Sequence, residues 1–154
     1  PLKYFVNMDD SFTAAERSGE DQGNGLLSSS SLIMVVENDQ DTLLLISELL
    51  KDLGYKVIEA SNGSEALEKI VLHKPVLILM DIEMPVLNGY DATLALRKME
   101  APFCNIPVIA TTAYATNEDR KKYKEAGIDQ VIPKPFHLEE IERKLKQRLP
   151  AGVC

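Results

Sequence analysis

The run Pro75-Val76-Leu77-Ile78-Leu79-Met80-Asp81 constrains the fold most, because a succession of bulky apolar residues stops abruptly at a carboxylate. An apolar run without polar alternation suits a strand buried on both faces, which is the parallel-sheet case. Period alone fits a buried helix segment equally; length and context favour the strand. In the residues that follow, Pro85 and Asn88-Gly89 bracket a loop, and a new helical pattern opens at Gly89. Asp81 therefore stands at the carboxyl end of a core strand, the edge where open α/β sheets place ligands and chemistry.

The same alternation of strand and helix repeats along the chain. Leu32-Ile33-Met34-Val35-Val36 reads as a buried strand ending in Glu37-Asn38-Asp39. A helix follows from about Gln40 to Leu53, capped by Asp39 or Asp41, with Gly54 just past its end. Tyr55 to Ala60 is a second strand, and Asn62 with Glu65 three residues on opens a helix to about His73. After the central strand come a helix from Gly89 to about Met99 and a fourth strand, Ile106 to Thr111, with Pro107 near its start. Thr116 caps a polar helix ending before Gly127, and Gln130-Val131-Ile132 is a short fifth strand. The last helix, about Leu138 to Leu149, has acids first and Lys144, Lys146 and Arg148 late, as the helix dipole prefers. Five βα units imply an α/β fold: a doubly wound, five-stranded parallel sheet with helices on both faces.

Composition bounds the rest. The 154 residues allow one domain and a tail. Residues 1–31 carry a serine run, several glycines and scattered acids, which predicts a disordered or linker-like segment; 32–150 is the folded domain and 151–154 a tail. Lys and Arg number 17 against 24 Asp and Glu, and the net charge of −7 argues against nonspecific binding to nucleic acid or anionic membranes. Cys104 and Cys154 form neither a disulfide framework nor a zinc spacing, which favours a reducing, cytoplasmic compartment. No apolar run approaches membrane-spanning length, and nothing resembles a secretory signal.

In a parallel sheet the carboxyl ends of all strands share one edge, so Glu37 with Asn38, Asp81, Thr112 and Lys134 converge there. Carboxylates brought together repel unless a cation resolves the conflict. Mg²⁺ takes oxygen ligands, keeps several waters, and suits one or two carboxylates with an open side. Lys134 adds a fixed point charge and Thr112 a hydroxyl. Metal, ammonium and hydroxyl around an accessible carboxylate make a receptor for a phosphoryl group, with Asp81 as the nucleophile that becomes an aspartyl phosphate.

At these residues the chain resembles the receiver domain of two-component response regulators, the CheY-like superfamily. The resemblance covers about Leu32 to Leu149. It rests on Val35-Val36-Glu37-Asn38, on Leu79-Met80-Asp81-Ile82-Glu83-Met84-Pro85-Val86-Leu87-Asn88-Gly89, on Pro107-Val108-Ile109-Ala110-Thr111-Thr112-Ala113, and on Lys134-Pro135-Phe136. It implies the flavodoxin-like strand order 2-1-3-4-5 and a cis bond between Lys134 and Pro135. It also implies that Asp81 is the phosphoacceptor, with Mg²⁺ held by Glu37, Asn38, Asp81 and the Glu83 backbone carbonyl. Thr112 is then the switch hydroxyl, and Lys134 contacts the phosphoryl oxygen. The implied function is phosphorelay signalling: phosphoryl transfer from a sensor histidine kinase or histidine phosphotransfer protein, autodephosphorylation, and no dedicated external substrate. No output domain follows the last helix in this sequence, so the expected output is contact with a downstream protein rather than with nucleic acid.

The sequence departs from the family pattern at two positions. Asn38 holds the second acidic position, and its amide can coordinate but brings no charge. Two unit charges ~4 Å apart interact by about 4 kcal/mol at an effective dielectric of ~20, so metal affinity should fall. Val131 stands where many members carry an aromatic residue. Both departures motivate an alternative, a phosphorylation-impaired receiver acting as a protein-binding module. His73 and His137 lack ligand spacing. Lys121-Lys122-Tyr123-Lys124 reads as a solvated helix face, and Tyr114 as either a gate or a packing residue.

Overall fold

A computed structural model describes residues 31–149. The linker-like reading of 1–31, apart from Ser31, and the tail at 151–154 lie outside the described residues. Five strands, β1 (Leu32–Val36), β2 (Lys56–Ala60), β3 (Leu77–Asp81), β4 (Val108–Thr112) and β5 (Gln130–Pro133), form one sheet in the order β2-β1-β3-β4-β5. Every neighbouring pair is parallel. Between and after them run α1 (Gln40–Asp52), α2 (Gly63–His73), α3 (Gly89–Arg97), α4 (Asn117–Ala126) and α5 (Leu138–Arg148).

Side chains of a strand point alternately to opposite faces, so an unbroken apolar strand feeds two cores at once. Ile33, Val35, Leu77, Leu79 and Ile109 meet Leu43, Ile46 and Leu50 of α1 and Ile141 and Leu145 of α5. Met34, Val36, Ile78, Met80, Val108 and Ala110 meet Ala66 and Ile70 of α2, Ala92 and Leu96 of α3 and Tyr123 of α4. Burial on both faces is the reason β3, the middle strand, shows no polar alternation; all its residues are buried.

Three helix starts follow the expected caps, Asn88 adds one that was not anticipated, and α5 starts after His137 without a side-chain cap. Asp39 accepts from the Thr42 amide, Asn62 from the Glu65 amide, Asn88 from the Asp91 amide and Thr116 from the Asp119 amide. Glu65 does not close a box on Asn62: its carboxylate accepts from the amide and hydroxyl of Ser61, one residue earlier. The fourth strand differs from expectation, running Val108–Thr112 rather than Ile106–Thr111. A 3-10 turn over Phe103–Asn105 takes up the preceding chain, and Pro107, lacking an amide proton, contributes only its carbonyl, which accepts from Ile78.

Helix α4 is polar apart from buried Tyr123 and Ala126, so it leans on its start, where Thr116 and Asp119 cap each other's amides at 3.1 Å. Thr116→Ala is expected to lower the unfolding free energy by about 1 kcal/mol in urea titrations, with Thr116→Ser close to wild type. An unchanged midpoint for Thr116→Ala would show that packing alone holds this helix.

Candidate functional site

The sheet register brings the site together. Glu37 follows β1 and stays aligned through its amide, which donates to the Ala60 carbonyl at 3.0 Å. Asp81 ends β3 opposite Thr111, and the next amide, of Ile82, donates to the Thr111 carbonyl at 2.9 Å. Lys134 follows β5, its amide donating to the Thr112 carbonyl at 2.8 Å, and its bond to Pro135 is cis, as the resemblance implied. A second cis bond, Ala101-Pro102, was not anticipated.

Three of the expected side chains form one cluster. The Lys134 ammonium donates to Asp81 Oδ1 at 3.0 Å and lies 3.5 Å from Glu37 Oε2. Glu37 and Asp81 are both buried, each with 2 % of its surface exposed. Glu37 is fixed by the Asp39 amide, which donates to its Oε1 at 3.0 Å, and Asp81 Oδ1 also accepts from the Glu83 amide at 3.2 Å. Both of these hydrogen bonds to Asp81 fall on Oδ1. Burial, reinforced by the neighbouring Glu37 carboxylate, raises the Asp81 carboxyl to about 6 although the Lys134 hydrogen bond pulls it down. Burial alone would lower the Lys134 ammonium. Its hydrogen bond to Asp81 and the charges of Asp81, Glu37 and Glu83 outweigh that and hold it above its ordinary value.

Thr112 is fully buried but does not join this cluster. It continues the Val108 and Ala110 series that faces α2, α3 and α4. Its hydroxyl donates to Glu83 Oε2, and its oxygen accepts from the Tyr114 amide at 3.0 Å. The other Glu83 oxygen accepts from the Ala113 amide at 3.1 Å. Asn38 is exposed on the turn after β1 and makes no hydrogen bond or ion pair among the described residues. Val131 is buried in the core on the α2–α4 side.

Tyr123 corrects the reading of the lysine run as a solvated face. The three lysines are exposed, but the tyrosine between them is buried, its hydroxyl 3.1 Å from the Tyr114 carbonyl and 3.4 Å from Thr112 Oγ1. Burial pushes its phenol above the ordinary value, against the Thr112 contact, and its hydroxyl donates to the Tyr114 carbonyl. The one sequence signal was an aromatic three residues before Ala126, the helical spacing of a buried stripe. The Glu83 side chain was also missed, because its partner lies far along the chain. Tyr90, Tyr114, Lys122 and Tyr123 line an open cleft of about 560 Å³ between the β3–α3 loop and α4. Tyr114 is 62 % exposed at its rim.

The residues present fit a hard divalent cation. Two buried carboxylates share one ammonium, so their formal charges exceed its own by one. Glu37 and Asp81 supply hard carboxylate oxygens, and among the described residues no group of three or more His, Cys, Asp or Glu side chains is placed to hold a metal ion. Carboxylate oxygens with no imidazole or thiolate beside them suit Mg²⁺ better than the nitrogen- and sulfur-rich sets zinc prefers.

Residues 33–146 match the family model of the response regulator receiver domain, and the chain belongs to that family. It is 35 % identical over 117 residues to the polar-differentiation response regulator DivK of Brucella anthropi, covering 76 % of this chain and 94 % of DivK. The transcriptional regulatory protein PrrA of Mycobacterium tuberculosis is 36 % identical over 120 residues, which cover 78 % of this chain but 50 % of PrrA. Among solved structures, the receiver domain of the sensor histidine kinase PA1611 of Pseudomonas aeruginosa superimposes with a TM-score of 0.71 at 32 % identity, covering 78 % of this chain and 98 % of that one. In that structure a magnesium ion is coordinated in the active-site cleft. The chain is thus a receiver domain of two-component signalling. No helix among the described residues is long and apolar enough to cross a membrane.

Proposed function

We propose that this receiver domain takes a phosphoryl group from a phosphohistidine onto Asp81, with Mg²⁺, in the cytoplasm, and signals by contact with a downstream protein. The observation that carries the reading is the buried Glu37–Asp81–Lys134 cluster at the carboxyl edge of the sheet. Lys134 and the Glu83 amide hold one oxygen of Asp81, which leaves Oδ2 for attack on phosphorus as the bond to the donor imidazole nitrogen breaks. Lys134 then offers its charge to the phosphoryl oxygens. Glu37, Asp81, the Asn38 amide oxygen and the Glu83 main-chain carbonyl would hold Mg²⁺, which offsets the negative charge gathered around phosphorus. Thr112 reaches the phosphoryl group only by giving up Glu83.

Intact mass of the protein incubated with a small-molecule phosphodonor tests this. The expected result is one phosphoryl adduct that requires Mg²⁺. A folded protein that takes none would overturn the reading.

Asn38 and the Glu83 carboxylate on Thr112 favour a second reading, a receiver fold kept as a protein-binding module. Asn38→Asp distinguishes them. Because a unit charge ~4 Å from Mg²⁺ contributes up to several kcal/mol, the impaired reading expects the variant to bind Mg²⁺ at least about tenfold tighter in a titration and to gain adduct. Unchanged affinity and adduct yield would remove it.

A further inference from the structure

Four groups close a ring around the Thr112 hydroxyl. Its single proton goes to Glu83 Oε2, and its oxygen takes the Tyr114 N–H at 3.0 Å. The Tyr123 phenol, also with one proton, sits between the Tyr114 carbonyl at 3.1 Å and Thr112 Oγ1 at 3.4 Å. With its proton given to the Tyr114 carbonyl, Tyr123 holds the residue whose amide holds the hydroxyl, and its oxygen lies against Thr112 Oγ1 as a contact without a proton of its own. The brace reaches the surface: the Tyr123 ring lies 6.4 Å from that of Tyr90 on α3, and the Lys122 ammonium sits 4.7 Å above the Tyr90 ring.

A hydroxyl has one proton to give. If Thr112 turns it to a group on Asp81, Glu83 loses its donor, the Tyr114 amide its acceptor, and the Tyr123 phenol one of its two neighbours. We propose that Tyr123 is a positioning residue of the Asp81 site: it holds Thr112 in the orientation bonded to Glu83 and carries the movement of Thr112 into the cleft between α3 and α4. The second half rests on the reading of Asp81 as phosphoacceptor; the first does not. Tyr123 lies on a helix rather than a strand, so the state of Asp81 would be read on the face that Tyr90, Lys122 and Tyr114 share. The buried ring itself stays in the core. What changes is its hydroxyl contact.

Residue-resolved amide exchange on the full chain tests both halves. Without phosphodonor, Tyr123→Phe keeps the ring and removes the brace, so the Ala113 and Tyr114 amides are expected to exchange about fivefold faster, the factor one net hydrogen bond represents. The Leu79 amide, in the middle of β3, should not change. Tyr90→Phe, which alters the same cleft without touching Thr112, should leave all three at wild-type rates. Unchanged exchange at Ala113 and Tyr114 in Tyr123→Phe, or equal acceleration at Leu79, overturns the positioning role.

With phosphodonor and Mg²⁺, the wild-type adduct is expected to accelerate Ala113 and Tyr114, and Tyr123→Phe to lose more than half of that response at equal adduct by intact mass. A full response in the variant overturns the reporting role. A wild type that takes no phosphoryl group overturns the acceptor reading and the reporting role with it, while the rates without donor still decide the positioning role.

Discussion

Asp81→Asn is expected to take no phosphoryl adduct and, at pH 7.5, to resist urea better than the wild type by about 2 kcal/mol. The native carboxyl titrates near 6 and an unfolded one near its ordinary 3.8. The native state thus binds this proton more tightly than the unfolded state, and wild-type stability falls as pH rises from about 4 to 6. The cost of ionising a buried carboxylate beside Glu37 is fully present above pH 6 and absent below about pH 4. Asn removes that cost while its amide oxygen still accepts from Lys134 and the Glu83 amide. The shift is already net of the Lys134 attraction; the buried Asn NH₂, which needs an acceptor of its own, keeps the gain below its full value. Urea titrations of both proteins from pH 4 to 8 check this: the curves should separate with rising pH. A variant no more stable than wild type at pH 7.5 would mean that Lys134 satisfies Asp81 completely and that the cluster has no charge left for a cation to neutralise.

Gly89→Ala is expected to lose about 3 kcal/mol, at the upper end of what inserting one methyl into a close-packed site costs. A Cβ at this position would collide with the Asp81 carbonyl oxygen and lie 2.8 Å from Met80 Cγ. The obstacle is the backbone of the site itself, pinned by the Gly89 amide, which donates to the Ile82 carbonyl at 2.9 Å. Gly89 begins α3, where alanine's helix preference would by itself favour the variant by up to about 1 kcal/mol. A net loss therefore isolates the close approach. Urea midpoints measure it, and a loss under about 1 kcal/mol would show that the loop after β3 shifts aside without cost.

Most of the fold was legible because the inner strands β1, β3 and β4 are apolar on both faces and four of the five helices carry side-chain caps, both local signals. Asn62, Thr116 and the Asp81 strand end could be read from neighbours within a few residues. The start of β4 could not: Ile106 and Pro107 look strand-like, and only the turn before them and the missing proline amide push the ladder to Val108. Strand order is likewise absent from periodicity, since a strand carries no local mark of its neighbours; it came from the resemblance. Glu37, Asp81 and Lys134 could be gathered from topology alone, because parallel strands put their ends on one edge. The partners of Thr112 could not. Glu83 meets it across two strand ends, and Tyr123 is masked by three lysines that share its segment but not its face.

The central claim is that Asp81 is the acceptor, and its location is tested by borohydride reduction after incubation with phosphodonor and Mg²⁺, followed by peptide mass mapping. An acyl phosphate is reduced to an alcohol, so the expected result is homoserine at position 81 and an unmodified residue there when the donor is left out. Reduction at Glu37 or Glu83 instead, or phosphate retained on a hydroxyl or histidine, would contradict the account.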